Sequence, residues 1–138
     1  MKIIICDSND NIVDTMKSYT DLEQSKKLAE ILPLESADMS YSFNFDSGIY
    51  EISLTSYKSW VVPKYAQSDD GFGQVIPCWS LAALLDIIPY PTLGKHADET
   101  WSCASWVEKV NPYFVEGCDS PINACYEMIL KLNEEKFL

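Results

Sequence analysis

The sequence contains no arginine: all 10 basic residues are lysine, and 21 aspartates and glutamates bring the formal net charge to -11. Arginine is the side chain that most often binds phosphate and guanine through paired hydrogen bonds. A chain without it, with a sequence pI near 4.3, is poorly suited to direct nucleic-acid binding. The acidic composition instead favours a soluble protein whose protein partner would be basic.

Long apolar runs are also missing. The N-terminus, "MKIIICDSND", has four apolar residues between its lysine and Asp7, fewer than the about seven that a secretory signal needs. No run approaches the roughly 18 apolar residues of a membrane span. We therefore expect a cytoplasmic protein with no membrane segment.

Histidine is scarce and the cysteines are scattered. The single histidine, His96, lies in "LGKHADET" close to Asp98 and Glu99. It could act as a base for a cysteine or serine, but a loop histidine beside solvated acids does not by itself define a catalytic site. The five cysteines are Cys6, Cys78, Cys103, Cys118 and Cys125. Their odd number and wide spacing, without C-x-x-C, predict reduced thiols rather than disulfides or a zinc site.

Other candidate sites also have ordinary explanations. Adjacent acids are typical of a solvated surface; they occur at Asp69-Asp70, Asp98-Glu99 and Glu134-Glu135. The stretch "DDGFGQ" lacks the third glycine of a dinucleotide site and the Lys-Ser/Thr of a phosphate loop. The tryptophans either line a ligand cleft or fill the core; they are Trp60, Trp79, Trp101 and Trp106. The sequence therefore assigns no catalytic, cofactor-binding or metal-binding residue, and no cofactor.

The first half of the chain predicts a strand, a helix and a hairpin. "KIIIC" is a short β-branched run followed by turn residues. Thr20 and Glu23 have the spacing of a capping box, which predicts a helix over residues 21–32 that Pro33 ends. A period of two then runs through "YSFNF" and "YEISL" on either side of the turn at residues 46–48, as in an antiparallel hairpin.

The second half centres on "IPCWSLAALLDIIP". Pro77 suits a first helical turn and Pro89 stops a helix, so we expect a helix over residues 77–88. It has no wide polar face and should be the central helix of the core, although it could also dock on a partner. "YPTLGKHADE" is turn-rich, "WSCASWVEKV" and "PYFVEG" are strand candidates, and Ser120 and Pro121 begin a last helix. The order predicts a single α+β domain over residues 1–138, with about three helices on an antiparallel sheet.

Three segments carry a family resemblance: "SYTDLEQSKKLAEILPLESADM", "IPCWSLAALLDIIP" and "SPINACYEMILKLNEE". In these the chain resembles short, acidic, uncharacterised proteins encoded in prophage-like and mobile regions of anaerobic gut bacteria. Members of that group look as though they start at the equivalent of "MKSYTDLEQ", which makes Met16 a candidate start and residues 1–15 an N-terminal extension. The resemblance implies no activity and no functional residues.

Two classes of function fit these observations. The first is a non-enzymatic accessory protein of a mobile element that acts through protein contacts, in one form by mimicking the charge of DNA toward a basic nuclease or repressor. The second is a small-molecule-binding protein or minor hydrolase with a cleft beside the 77–88 helix, where His96 or Cys103 would lie at the rim. A structural homodimer is a third possibility.

Overall fold

The computed structural model describes residues 2–6, 12–53, 75–107 and 111–138, with side chains described from residue 18 onward. The elements in chain order are β1 (Lys2–Cys6), β2 (Ile12–Lys17), α1 (Leu22–Ala29), β3 (Met39–Asn44), β4 (Ile49–Ser53), β5 (Val75–Cys78), α2 (Leu81–Ile87), β6 (Pro91–Lys95), β7 (Trp101–Ser105), β8 (Tyr113–Cys118) and α3 (Pro121–Glu134). A short 3-10 turn, Leu34–Ser36, follows α1. Helices combined with antiparallel strands confirm the predicted α+β class.

The described strands form three antiparallel sheets. β1 pairs with β2, and the other two sheets have the orders β4-β3-β5 and β6-β7-β8. The predicted hairpin is confirmed: Tyr41 lies opposite Ile52, and Phe43 opposite Tyr50. Gly48 closes its turn with a φ of 72°, a left-handed conformation that glycine adopts without strain.

Helix α3 forms the centre of the main core. The Ser120 hydroxyl accepts a hydrogen bond from the Asn123 amide at 3.1 Å, and Pro121 occupies the start of the helix, as the sequence predicts. Seven of its residues are buried: Pro121, Ile122, Ala124, Cys125, Met128, Ile129 and Leu132. They pack against β7 and β8, so this helix joins the third sheet to the rest of the core.

The prediction of a helix over residues 77–88 is wrong in its first part. Residues Val75–Cys78 form β5, which pairs with β3 so that Ile76 lies opposite Tyr41. The helix begins after Ser80, whose hydroxyl accepts from the Ala83 amide at 3.2 Å, and its one buried residue is Leu84. The central helix is therefore α3. A fully buried strand and a buried helix both appear as an apolar run, so periodicity could not separate them.

Helix α1 begins one residue later than its predicted capping box. Asp21, not Thr20, is the N-cap, and its carboxylate accepts from the Gln24 amide at 2.7 Å while the Gln24 side chain accepts from the Asp21 amide. The Thr20 hydroxyl is buried and bonds to Ser25 at 2.7 Å instead. The helix ends at Ala29 rather than at residue 32, which shortens the predicted element.

Besides β5, two strands were not predicted from the sequence, β2 (Ile12–Lys17) and β6. Residues Pro91–Lys95, within the segment expected to be turns, form β6 and pair with β7. The strands expected in "WSCASWVEKV" and "PYFVEG" are confirmed as β7 and β8. In the part of the chain that the structure describes, no helix has the length and apolar character needed to cross a bilayer.

Several predictions concern residues outside the described ranges. These are Leu54, Trp60, Asp69-Asp70 and the glycine pair of "DDGFGQ".

Candidate functional site

His96 lies in the loop of the β6–β7 hairpin, as predicted, and is exposed. Its backbone amide donates to the Thr100 carbonyl at 2.8 Å, and its carbonyl accepts from the Glu99 amide at 2.9 Å. Asp98 accepts from the Thr100 hydroxyl at 2.6 Å and from the Thr100 amide at 3.0 Å. These hydrogen bonds, the hydroxyl's first, lower the pKa of Asp98. The acids beside His96 therefore shape the loop.

Cys78 belongs to a buried polar cluster between α1 and β5. Its thiol lies 3.4 Å from the Thr20 carbonyl and 3.5 Å from the Thr20 hydroxyl. The Tyr41 hydroxyl donates to the same carbonyl at 2.8 Å. Burial raises the pKa of Cys78 and of Tyr41, which keeps both groups neutral. A protonated thiol is a poor nucleophile, so this cluster serves to hold α1 against β5.

Three further thiols lie near one another where β7, β8 and α3 meet. Cys103 and Cys125 are fully buried in the main core, and the hydrogen bond between them, followed by burial, raises the pKa of Cys125. Burial, then the charges of Glu127 and Asp119, raise the pKa of the half-buried Cys118. The structure shows Cys78, Cys103, Cys118 and Cys125 as free cysteines. Among the described residues, no group of three or more His, Cys, Asp or Glu could hold a metal ion.

The three described tryptophans differ in burial, and only Trp79 takes the expected role of filling the core. Trp79 is fully buried in the main core, and its indole N–H donates to the Ser36 hydroxyl at 2.9 Å. Trp101 is half-buried, with the Lys95 ammonium 5.8 Å from its ring centre. Trp106 is exposed on the third sheet. These three tryptophans therefore do not converge on a single ligand cleft.

A polar cleft lies between the start of α1 and the start of α3, with a volume of about 320 Å³. Its lining residues are Asp21, Gln24, Gly117, Cys118, Asp119, Asn123, Tyr126 and Glu127. We call it the acidic cleft, because three of its lining residues, Asp21, Asp119 and Glu127, carry carboxylates. His96, Cys103 and the residues of the 77–88 segment do not line it.

Two helix starts position the walls of the acidic cleft. Asp21 and Gln24 form the capping box of α1, and Asp119 immediately precedes Ser120, the N-cap of α3. The Gln24 amide donates to the Asn123 side-chain oxygen at 2.8 Å, which fixes the two helix starts against each other. This bond joins residues 99 positions apart in sequence.

The acidic cleft has the electrostatics of a site for a positively charged group. Burial raises the pKa of Tyr126, and the charges of Glu127 and Asp21 raise it further. The same charge of Glu127 acts on Cys118. The negative charges of both walls therefore reach the same interior. Carboxylate and amide oxygens can accept hydrogen bonds from an ammonium or guanidinium group.

The acidic cleft was not predicted from the sequence. A signal was present, because Asp119, Asn123 and Glu127 follow one another at intervals of four and share a face at the start of a predicted helix. The contribution of Asp21 and Gln24 could not be recognised, since no pattern connects the start of α1 with the start of α3.

Comparison with known proteins gives no assignment: no family model matches the chain, and no curated protein or solved structure is significantly similar to it. The resemblance to proteins of mobile genetic regions therefore stays a prediction. Function has to be argued from the geometry of the described residues.

Proposed function

We propose that this protein is a non-enzymatic accessory protein of a mobile element that binds a basic protein partner in the cytoplasm, without direct contact to nucleic acid. The observation that carries the proposal is the acidic cleft, in which carboxylates from two helix starts face one cavity of about 320 Å³. The net charge of -11 supports it, because a strongly acidic protein attracts basic partners over long range and accelerates their association.

The size and chemistry of the acidic cleft suit one side chain of a partner. Its volume is near the lower end of the roughly 300–1,000 Å³ that ligand sites occupy. A lysine or arginine side chain can place its charge between Asp119 and Glu127 and its donors on Asn123.

The proposal is tested by removing charge from the acidic cleft without changing its shape. The double variant Asp119→Asn/Glu127→Gln is compared with Glu134→Gln/Glu135→Gln, which removes the same charge at the exposed end of α3. Each tagged protein is incubated with bacterial lysate, and the captured proteins are quantified by mass spectrometry.

We expect a stoichiometric basic protein that the wild type and the α3-end variant capture equally and that the cleft variant loses. Raising the salt from about 0.1 M to about 1 M, which shortens the screening length from about 10 Å to about 3 Å, should weaken its capture. A partner that both variants retain equally would place the interface elsewhere, and the absence of any stoichiometric partner would contradict the proposal.

A further inference from the structure

The third sheet has an inner and an outer side. Leu93, Cys103 and Val115 lie opposite one another across β6, β7 and β8 and belong to the main core. Thr92, Ala104 and Phe114 also lie opposite one another, one residue along each strand. Because successive side chains of a strand point to opposite sides, the second row lies on the side away from α3.

Exposed aromatic side chains lie on this outer side, at Trp106 and Phe114, and next to it, at Tyr90, which directly precedes β6. Tyr90, Trp106 and Phe114 have 77%, 40% and 44% of their surface accessible. The Trp106 indole N–H donates to the Thr92 hydroxyl at 3.2 Å, which holds the ring beside that strand. The Trp106 amide donates to the Tyr90 carbonyl at 3.3 Å. We call Tyr90, Thr92, Trp106 and Phe114, together with the buried Ala104 between Thr92 and Phe114, the outer face.

The backbone of Tyr90 is strained. Its φ is 45°, in the left-handed region that large side chains rarely adopt. Burial of the ring cannot offset this strain, because most of the side chain is in water. Strained residues persist where the surrounding structure holds them, and they cluster at binding sites. Exposed tyrosine and tryptophan are also the residues that most often dominate interfaces.

We infer that the outer face binds a proline-rich, lysine-containing segment of the partner, an inference that rests on the proposed function. Extended proline-rich peptides in the polyproline II conformation dock on surfaces lined by aromatic rings. Such a peptide is already ordered when free, so binding costs little conformational entropy. Glu116, two residues beyond Phe114 in β8, adds a carboxylate that complements lysine.

The dimensions of the outer face favour a peptide over a folded partner or a second copy. Its residues span two residue steps along β6 and β7 and three strands across, or roughly 7 Å by 10 Å between backbones. A stable interface between folded proteins needs about 800 Å² on each side. A polyproline II segment rises about 3.1 Å per residue, so three or four residues cross the roughly 10 Å width of the face. A second copy would also carry the same net charge of -11.

The edge of the third sheet at β8 is less suited to bind a peptide than the outer face. The Lys131 ammonium donates to the Phe114 carbonyl at 3.0 Å, so that carbonyl of β8 already has a partner. An added strand would have to displace this bond. The aromatic rings, which stand on the side of the sheet, remain accessible.

The test uses fluorescence polarisation with labelled peptides of about ten residues, enough to cover the face in the polyproline II conformation. One peptide combines prolines with lysines, a second keeps the lysines and replaces proline by glycine and serine, and a third keeps the prolines and replaces lysine by glutamate. The protein variants are Trp106→Ala, Trp106→Phe and Tyr90→Ala. Phe137→Ala is the matched control, because Phe137 is 39% exposed but packs on Tyr113 outside the face. Circular dichroism checks that each variant is folded.

We expect the proline-lysine peptide to bind the wild type at least about tenfold more tightly than the other two peptides. Its affinity should fall about tenfold or more in Trp106→Ala and Tyr90→Ala, as for aromatic hot spots. Trp106→Phe should recover part of this affinity. Phe137→Ala should bind like the wild type. If the proline-free lysine peptide binds equally well and Trp106→Ala has no effect, this inference is overturned while the acidic cleft remains a partner site. No binding of any peptide, or quenching of tryptophan fluorescence by a neutral oligosaccharide instead, also overturns it.

Discussion

At the scale of single residues, burial separates the side chains that hold the fold from those that shape a loop. Leu84 is 0% exposed and is the one fully buried residue of α2. Asp86, two positions later, is exposed. Both residues belong to α2, so Asp86 is a matched control for Leu84: a substitution by alanine changes the same helix at either position.

We expect Leu84→Ala to lower the free energy of unfolding by about 2–5 kcal/mol, because it removes buried methyl groups and leaves a cavity. Asp86→Ala should change it by less than about 0.5 kcal/mol, as surface substitutions do. Urea denaturation monitored by tryptophan fluorescence measures both. Equal losses in the two variants would mean that α2 does not pack against the core through Leu84.

A second prediction at this scale concerns the loop of His96. The Thr100 hydroxyl is the first cause of the lowered pKa of Asp98. In Thr100→Val this donor is lost, and we expect the pKa of Asp98 to rise toward the ordinary value of about 3.9. NMR titration of the carboxyl carbon measures the change.

The sign of the pH dependence follows from the same shift. Because the folded pKa of Asp98 lies below the unfolded value, its stabilising contribution is complete above the unfolded pKa and is lost as the pH falls through the folded pKa. Thr100→Val should reduce this acid sensitivity. Thr92→Val, which removes a hydroxyl elsewhere in the hairpin, should leave the titration of Asp98 unchanged; a shift there would indicate a general loosening.

At the scale of elements, the sequence predicted a helix or turn correctly where residues close in sequence provide its backbone hydrogen bonds or fix its backbone conformation. α3 was found because Ser120 caps it and Pro121 starts it, and both effects act within a few residues. The β3–β4 hairpin was predicted from equally local signals, the alternation of apolar and polar residues and the turn at residues 46–48. β6 was missed because proline and glycine made its sequence look like a turn, and pairing with β7 outweighs that preference.

The start of α1 shows how tertiary contacts move a boundary. Thr20 was predicted to cap the helix, but its hydroxyl accepts from the Trp79 amide at 3.2 Å and bonds to Ser25. The role of N-cap passes to Asp21. Sequence reasoning could not anticipate this change, because Trp79 lies 59 residues away.

We therefore expect Asp21→Ala to cost about 1 kcal/mol of stability, the typical value of a lost N-cap. Glu23→Ala should cost less than about 0.5 kcal/mol, since Glu23 is exposed and its carboxylate lies 3.9 Å from the Lys26 ammonium in a surface ion pair. Thermal and urea unfolding of the two variants distinguish a helix α1 that is capped by Asp21 from one that is capped by Thr20 and Glu23. A larger loss of stability in Glu23→Ala than in Asp21→Ala would instead support the capping box predicted at Thr20 and Glu23.

At the scale of the whole molecule, the candidate sites depend on segments that the chain brings together from far apart. The acidic cleft combines residues 21–24 with residues 117–127, and the outer face combines residue 90 with residues 106 and 114. The sequence predicted an acidic protein in which no set of catalytic residues could be recognised, and the expectation of a protein-binding role followed from these two observations. It could not place the charges, because their positions depend on how α1 and α3 pack.

The bond between Lys131 and the Phe114 carbonyl has a consequence for how the protein behaves when concentrated. In the described order β6-β7-β8, strand β8 is at the edge, and an edge with open carbonyls is a template on which strands of other molecules assemble. Lys131 covers one of these carbonyls with a charged group. The opposite edge strand begins with Pro91, which has no amide to donate. Each described edge of this sheet therefore carries a feature that hinders pairing with the strands of another molecule, the first step of fibril growth.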